Sequence, residues 1–294
     1  MRAAAIVGPG NLSKHVAAFQ QATGTEWTSL IEQADAVVIF GGDGTVHHQL
    51  STLVDLDVPL LVVPCGSGND FARALGLRST PDSIAAWNKF ARGSNRAHAI
   101  DLGVIRSLAK STSARVFPSG RSLRAESSAY FCCVAGVGLD TRIAARANKL
   151  PRWLRSRGGY FWCAPSEFMK FSPTPMRISC NGTQGSSRPT ILAAVANAPA
   201  YGGGMRIAPR AKLDDGMLDL CRVGAMDVLK LFCLFPTVYL GRHLGFREVE
   251  YSQAPEVRIE TEHPIDVYAD GEYVCQTPVE FGIARNALNV IMAS

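Results

Sequence analysis

The chain opens with two short apolar runs separated by an amphipathic stretch. Residues 3–8 and 36–40 are nearly continuous in apolar side chains, as strands buried on both faces require. Residues 12–22 carry apolar positions at helical spacing, with Asn11 or Ser13 placed to cap the first turn. The alternation continues: 45–54 predicts a helix, 59–63 a strand, and 71–77 and 83–92 two more helices. Strands alternating with helices predict a parallel sheet with helices on its faces. From residue 97 the pattern changes. Residues 99–105 alternate like a strand, and 130–135, 176–180, 190–196, 217–223, 256–260, 265–269 and 287–292 read as further strands. Helical spacing returns at 154–171 and 225–239. Asn181-Gly182, between two of the strands, is a hairpin signal. Residues 107–128 are rich in Ser and Arg and predict a mobile loop. The fold class is α/β: a parallel α/β domain over 1–96, then a β-rich domain over 97–294, with a cleft between them.

Composition narrows the class. A chain of 294 residues with 47% hydrophobic content can bury a full core, and its length suits two domains. The net charge of +5 is mild for a nucleic-acid binder but favourable at an anionic membrane surface. The eight cysteines form no C-x-x-C pair and no metal spacing, and Cys132 lies beside Cys133. That usage predicts reduced thiols in a cytosolic protein. The N-terminus is too short in its apolar part for a signal peptide. No stretch approaches the ~18 apolar residues of a membrane span. The nearest, 229–240, is interrupted by Lys230 and Pro236. Any membrane contact is therefore expected from outside the bilayer.

The chemistry lies in turns. Gly41-Gly42-Asp43-Gly44-Thr45 follows one apolar strand, and Pro64-Cys65-Gly66-Ser67-Gly68-Asn69-Asp70 follows another. Both turns fall at the carboxyl ends of strands, where open α/β sheets bind ligands. Their glycines let backbone N–H groups approach a phosphate, and the helix after the first turn points its N-terminus at the same anion. Thr45, Ser67 and Asn69 add side-chain donors. Asp43 is placed to hold Mg²⁺ on that phosphate or to take a proton from an attacking hydroxyl. His47 and His48 read as helix surface, and Cys65 as an oxidisable thiol. Two acidic turns follow: Asp214-Asp215-Gly216, which by itself reads as an acidic hairpin turn, and Asp270-Gly271-Glu272, a type I′ turn signal.

As a set, these motifs resemble the catalytic domain shared by diacylglycerol kinases, sphingosine kinases and soluble bacterial lipid kinases. The likeness continues from Asp70 through Phe71-Ala72-Arg73 and Ile100-Asp101-Leu102-Gly103 to Ala196-Asn197. It runs on through Tyr201-Gly202-Gly203-Gly204, Ile207-Ala208-Pro209, Leu213 to Asp219, Gly241-Arg242-His243 and Asp270-Gly271-Glu272, over almost the whole chain. The resemblance implies a Rossmann-like nucleotide-binding domain of the NAD kinase and diacylglycerol kinase type, followed by a sandwich-like domain for lipid and metal. It implies ATP phosphates at Gly41, Gly42, Asp43, Gly44, Thr45, Val46 and His47, and at Gly66, Ser67, Gly68 and Asn69. It implies Asp270 or Glu272 as the general base. Asp43 competes for that role, and the sequence leaves the division open. It implies a Mg²⁺ in the second domain held by Asp215 and the main-chain carbonyls of Lys212 and Met217. The chain departs from the pattern at its first turn, which reads Gly8-Pro9-Gly10 instead of Asn-Pro, and in the short spacing from there to Gly41.

Arg142, Arg146, Lys149, Arg152, Arg155 and Arg157 interleave with Leu150, Trp153, Leu154 and Trp162. Such a run suits a membrane interface, and equally a solvated helical face with its aromatics in the core. The expectation is an ATP-dependent lipid kinase of phospholipid biosynthesis that transfers the γ-phosphoryl group to a hydroxyl of a diacylglycerol-like or other membrane lipid. It is expected in the cytoplasm, peripheral to the inner face of an anionic membrane, without nucleic acid as a partner. A homodimer is compatible with this reading. The alternatives are an NAD kinase-like small-molecule kinase and a non-catalytic lipid-binding protein of the same fold. The acceptor lipid leaves no motif.

Overall fold

The computed structural model describes residues 1–108, 128–150 and 159–293. Its first part runs β1 (Arg2–Val7), α1 (Ser13–Thr23), β2 (Glu26–Thr28), β3 (Ala36–Gly41), α2 (Asp43–His47), α3 (Leu50–Leu56), β4 (Leu60–Pro64), α4 (Asp70–Ala74) and α5 (Thr80–Ala91). The strands pair in parallel in the order β4-β3-β1-β2. Every residue of β3 is buried, which is why its sequence is apolar throughout. Phe19, Phe40 and Trp87 fill the space under the helices, with Phe19 and Phe40 meeting edge to face at 5.5 Å.

The second part is built from antiparallel pairs. It runs β5 (His98–Ser107), β6 (Ala129–Phe131), β7 (Val134–Gly138), α6 (Leu139–Asn148), α7 (Gly159–Phe168), β8 (Thr174–Cys180), β9 (Ser187–Ala196), β10 (Leu218–Gly224) and α8 (Val228–Tyr239). It ends with β11 (Val249–Ala254), β12 (Glu256–Thr261), β13 (Asp266–Ala269), β14 (Glu272–Gln276) and β15 (Val279–Val290). A second apolar core, with Phe131, Val195, Val257 and Phe281, sits inside these strands. The last strand crosses back: β15 runs antiparallel along β5, and its Val290 pairs in parallel with Leu60 of β4. The C-terminal strand thus stitches the β-rich part to the parallel sheet.

Several elements differ from the pattern-based expectation. The helix expected over 45–54 is two helices, broken at His48 and Gln49. The break lets His47 reach across to Asp270 while Leu50 and Leu53 stay in the core. The strand expected over 130–135 is also two, because Cys132 and Cys133 leave the ladder to donate their N–H groups to Asp270. Neither Asn11 nor Ser13 caps α1: the cap position is Leu12, and the Ser13 hydroxyl donates to the Asn11 carboxamide oxygen (2.6 Å). The last strand starts at Val279, well before residue 287. Helix α6 and strands β2 and β11 were not expected. The Asn181-Gly182 turn is present, with φ of 51° and 74°. Most of the Ser- and Arg-rich stretch 107–128, and residues Arg152, Trp153, Leu154, Arg155 and Arg157, lie outside the described residues. Among the described residues, no helix is long and apolar enough to cross a membrane.

Asp101 of β5 ties three segments together. Its carboxylate accepts the N–H groups of Gly216 (2.7 Å) and Asn286 (2.8 Å), and its own N–H donates to the Leu213 carbonyl (2.6 Å). Asp101→Ala leaves two N–H groups without their acceptor, at roughly 1–3 kcal/mol for the buried Gly216 and less for the exposed Asn286. We expect urea unfolding to show a loss of more than ~2 kcal/mol for Asp101→Ala, and a smaller loss for Asp101→Asn, which keeps one acceptor oxygen. Equal stability of wild type and Asp101→Ala would contradict this role.

Candidate active site

Strands β3 and β4 pair Gly41 with Pro64, so their turns leave the sheet side by side. The Cys65 N–H donates to the Gly41 carbonyl (2.9 Å). The two backbones then touch: a β-carbon on Gly42 would lie 2.8 Å from the Gly66 Cα, and one on Gly66 would lie 2.5 Å from the Gly42 Cα. Only glycine fits at either position. Asn69, at φ 55°, folds its side chain back onto its own loop. It accepts the Gly66 N–H and donates to the Gly66 carbonyl, both at 2.8 Å. One of the two carboxamide N–H groups is thereby used within the loop. Val46 is fully buried; its N–H donates to the Gly42 carbonyl (3.2 Å) and its carbonyl accepts the Gln49 N–H (2.9 Å). Gly41, Gly42, Gly44, Thr45, Gly66, Ser67 and Gly68 all line one cleft.

Carboxylates gather where the loops meet. Asp43 opens α2 and accepts the Phe71 N–H (3.0 Å). Burial raises its carboxyl to about 6, the Asp70 charge adds to the rise, and the N–H groups of Phe71 and Asp70 oppose it. Asp70 accepts the Gly203 N–H (2.7 Å) and pairs with Arg73 (3.0 Å). Burial still holds its carboxyl above the ordinary carboxylate value, against the Gly203 bond and the Arg73 charge. Sequence reasoning gave Asp70 no role of its own. The structure makes it the link between the second loop and the Tyr201–Gly204 glycine run, whose unusual composition was the available signal.

Asp270 arrives from the opposite wall. It and Gly271 carry φ of 52° and 86° between β13 and β14, as both central positions of a type I′ turn require. Its Oδ2 accepts the Cys132 N–H (2.9 Å), and its Oδ1 accepts the N–H groups of Cys133 (2.8 Å) and Val134 (3.3 Å). His47 Nδ1 lies 3.1 Å from Oδ2. His47 is therefore not helix surface: its side chain is 11% exposed and faces Asp270. Burial pulls its pKa down, but the Asp270 bond and the charges of Asp270 and Glu272 carry it above the ordinary 6.5. Glu272 reaches toward the first loop, where a β-carbon on Gly44 would lie 2.9 Å from its Oε1.

The cleft measures about 1290 Å³ and takes in both loops, Asp43, Asp70, Asp140, the Tyr201–Gly203 segment, and the turn from Asp270 to Glu272. Asp140, which the sequence reading passed over, is raised to about 7 by burial. Burial pushes the Cys65 thiol up to about 11, which keeps it protonated at neutral pH and disfavours its oxidation. Lys212, Asp215 and Met217 lie outside the cleft lining. Their turn is ordered by Asp101 through Gly216 and by the Met217 N–H, which donates to Asp215 Oδ1 (3.0 Å). The donors there, one carboxylate and two carbonyls, are all oxygen, and that set fits Mg²⁺. Of the basic run, Arg142 and Arg146 both pair with Glu167, at 3.3 and 3.0 Å, so part of that charge is spent within the fold.

Known proteins share this plan. Residues 13–105 match the diacylglycerol kinase catalytic domain, and residues 133–292 match the YegS C-terminal NAD kinase beta sandwich-like domain. A diacylglycerol kinase of Mycobacterium tuberculosis is 34% identical over 284 residues, 97% of this chain and 82% of that protein. A solved diacylglycerol kinase from Bacillus anthracis superposes with a TM-score of 0.64 at 18% identity, over 99% of this chain and 96% of the other. An NAD kinase from Archaeoglobus fulgidus, solved in complex with ATP, gives 0.53 at 13% identity, over 100% and 94%. These two structures bear out the expected fold, a parallel α/β unit followed by a sandwich-like domain. Both halves match in order and the abutting glycine loops are in place, so the chain belongs to the diacylglycerol kinase family of lipid kinases.

Proposed function

We propose that this kinase transfers the γ-phosphoryl group of ATP to a hydroxyl of a membrane lipid of the diacylglycerol type. The observation that carries the reading is Asp43, set beside two glycine loops that touch backbone to backbone on one wall of the cleft. Phosphates lie along those loops, cradled by N–H groups. Asp43 takes the proton of the acceptor hydroxyl. The hydroxyl oxygen bonds to the γ-phosphorus, the bond to the bridging oxygen breaks, and ADP leaves with that electron pair. A carboxyl raised to about 6 suits a base working near neutral pH. Bound with the nucleotide, Mg²⁺ would supply the positive charge that a cleft lined by Asp43, Asp70 and Glu272 needs before it accepts a triphosphate.

An apolar neighbour favours a lipid over a dinucleotide as acceptor. A cavity of about 50 Å³ between α6 and α8, lined by residues such as Ile143, Leu231 and Phe235, shares Asp140 and Tyr201 with the cleft. Trp162 of α7, which lines the cleft, Met169 just after α7 and Leu229 of α8 are exposed, the last two at 75% and 76%. The two helices pack through Phe168 and Phe232, 5.3 Å apart. This face docks on the inner surface of an anionic bilayer, where the chain's net charge of +5 assists.

Incubation with labelled ATP and a total lipid extract tests the reaction. We expect label in the organic phase, a rate that falls as the pH drops through about 6, and a roughly 10²–10⁴-fold loss in Asp43→Asn. Label appearing in NADP⁺ when NAD⁺ is supplied, and in no lipid, would favour the dinucleotide kinase.

The docking face is tested with Met169→Ser combined with Leu229→Ser. Sedimentation with anionic vesicles should fall, while turnover of a short-chain soluble acceptor stays unchanged. Unaltered vesicle binding would remove this face from the account.

The second-domain metal is tested without nucleotide. Mg²⁺ should raise the melting temperature of wild type and leave Asp215→Ala unmoved. The same shift in both proteins would count against Asp215 as a ligand.

A further inference from the structure

The Asp270 carboxylate is crowded. Its side chain is 0% exposed. A carboxylate offers two oxygens with about four lone-pair positions. Among the described residues, four N–H groups meet them: those of Cys132, Cys133 and Val134, and the Nδ1 of His47. The Cys132 thiol adds a weaker contact at 3.4 Å. An acceptor hydroxyl has neither access nor a vacant lone pair there. His47 ends α2, the helix that begins at Asp43, and Asp270 starts the turn that carries Glu272. Their bond joins the phosphate-loop helix to the far wall of the cleft.

We propose that His47 is a positioning residue: through Asp270, an anchor whose lone pairs are all committed, it fixes the distance between the phosphate loop and the β13–β14 turn. Asp270 then serves this anchor and is not the base. The inference rests on the kinase reading only for its effect on rate; the bond itself is tested without activity.

The groups facing the pair set its dependence on pH. His47 faces Asp270, Glu272 and the ring of His48, whose centroid is 5.8 Å away. Asp43, Asp70 and Cys132 all interact with Asp270. His47 is held above its ordinary 6.5, so its charged form adds stability that is complete below about that pH. This contribution is lost as the pH rises through the folded-state value. Asn at position 47 supplies a side-chain N–H near the place of Nδ1 and does not titrate; Leu supplies none.

Chemical unfolding of wild type, His47→Asn and His47→Leu across pH 5 to 9 reads the bond directly. The stability gap between wild type and His47→Leu should be widest at low pH and narrow as the pH rises, and His47→Asn should lack that slope. A gap independent of pH overturns the charged pair. In the kinase assay, kcat should fall about tenfold in His47→Leu with the KM for ATP unchanged, as expected of a misplaced wall. His47→Asn should recover most of the rate and lose the alkaline decline of wild type. Asp270→Asn should resemble His47→Leu and keep the acid limb near 6 that belongs to Asp43. A loss in Asp270→Asn of roughly 10²–10⁴-fold, with the acid limb gone, would make Asp270 the base and end the proposal. If wild type phosphorylates no lipid, the kinase reading fails and the unfolding series alone decides the pair.

Discussion

The arrangement of the cleft depends on one buried carboxylate. Asp270 has no exposed side-chain surface, and a charge so placed is tolerated only with hydrogen-bond donors around it. The donors come from three consecutive backbone N–H groups, of Cys132, Cys133 and Val134, and from His47. Each donor shapes the chain that supplies it. Residues 132 and 133 leave the sheet between β6 and β7, and α2 stops after five residues so that His47 faces across the cleft. The turn itself needs positive φ at Asp270 and Gly271. Local conformations that look irregular element by element are the conditions for satisfying a single charge.

Three other carboxylates of the cleft are raised by burial. Asp43 is lifted to about 6 and Asp140 to about 7, each chiefly by loss of solvent. Asp70 is also raised, although Gly203 and Arg73 hold it partly back. In each, burial outweighs the N–H groups that favour the charged form. The abutting glycines at 42 and 66 bring Asp43 and Asp70 onto one floor, because any side chain there would force the loops apart.

The sequence displayed the parallel half of the fold well. Strands β1, β3 and β4 are continuous apolar runs, and the two glycine turns mark their ends. It displayed α6 poorly, since basic residues interrupt the spacing of Leu139, Ile143 and Ala147, whose burial only the fold reveals. It missed β2, which is three residues long. At the site, the motif residues Asp43, Gly42, Gly66 and Asp270 are brought to one cleft. The partners that decide what Asp270 does were not legible: three are backbone N–H groups, which have no sequence signature, and the fourth is a histidine 223 positions away. Asn69 shows a side chain of the right type that also orders its own loop, giving one of its two N–H groups to the Gly66 carbonyl.

A structure of the protein with a non-hydrolysable ATP analogue, Mg²⁺ and a short-chain diacylglycerol tests the central claim most directly. The account predicts phosphates against the Gly42 and Gly66 backbones and the acceptor hydroxyl within hydrogen-bond reach of Asp43. Asp270 should still hold the N–H groups of Cys132, Cys133 and Val134 together with His47. An acceptor hydroxyl on the Asp270 carboxylate, with those bonds released, would contradict it.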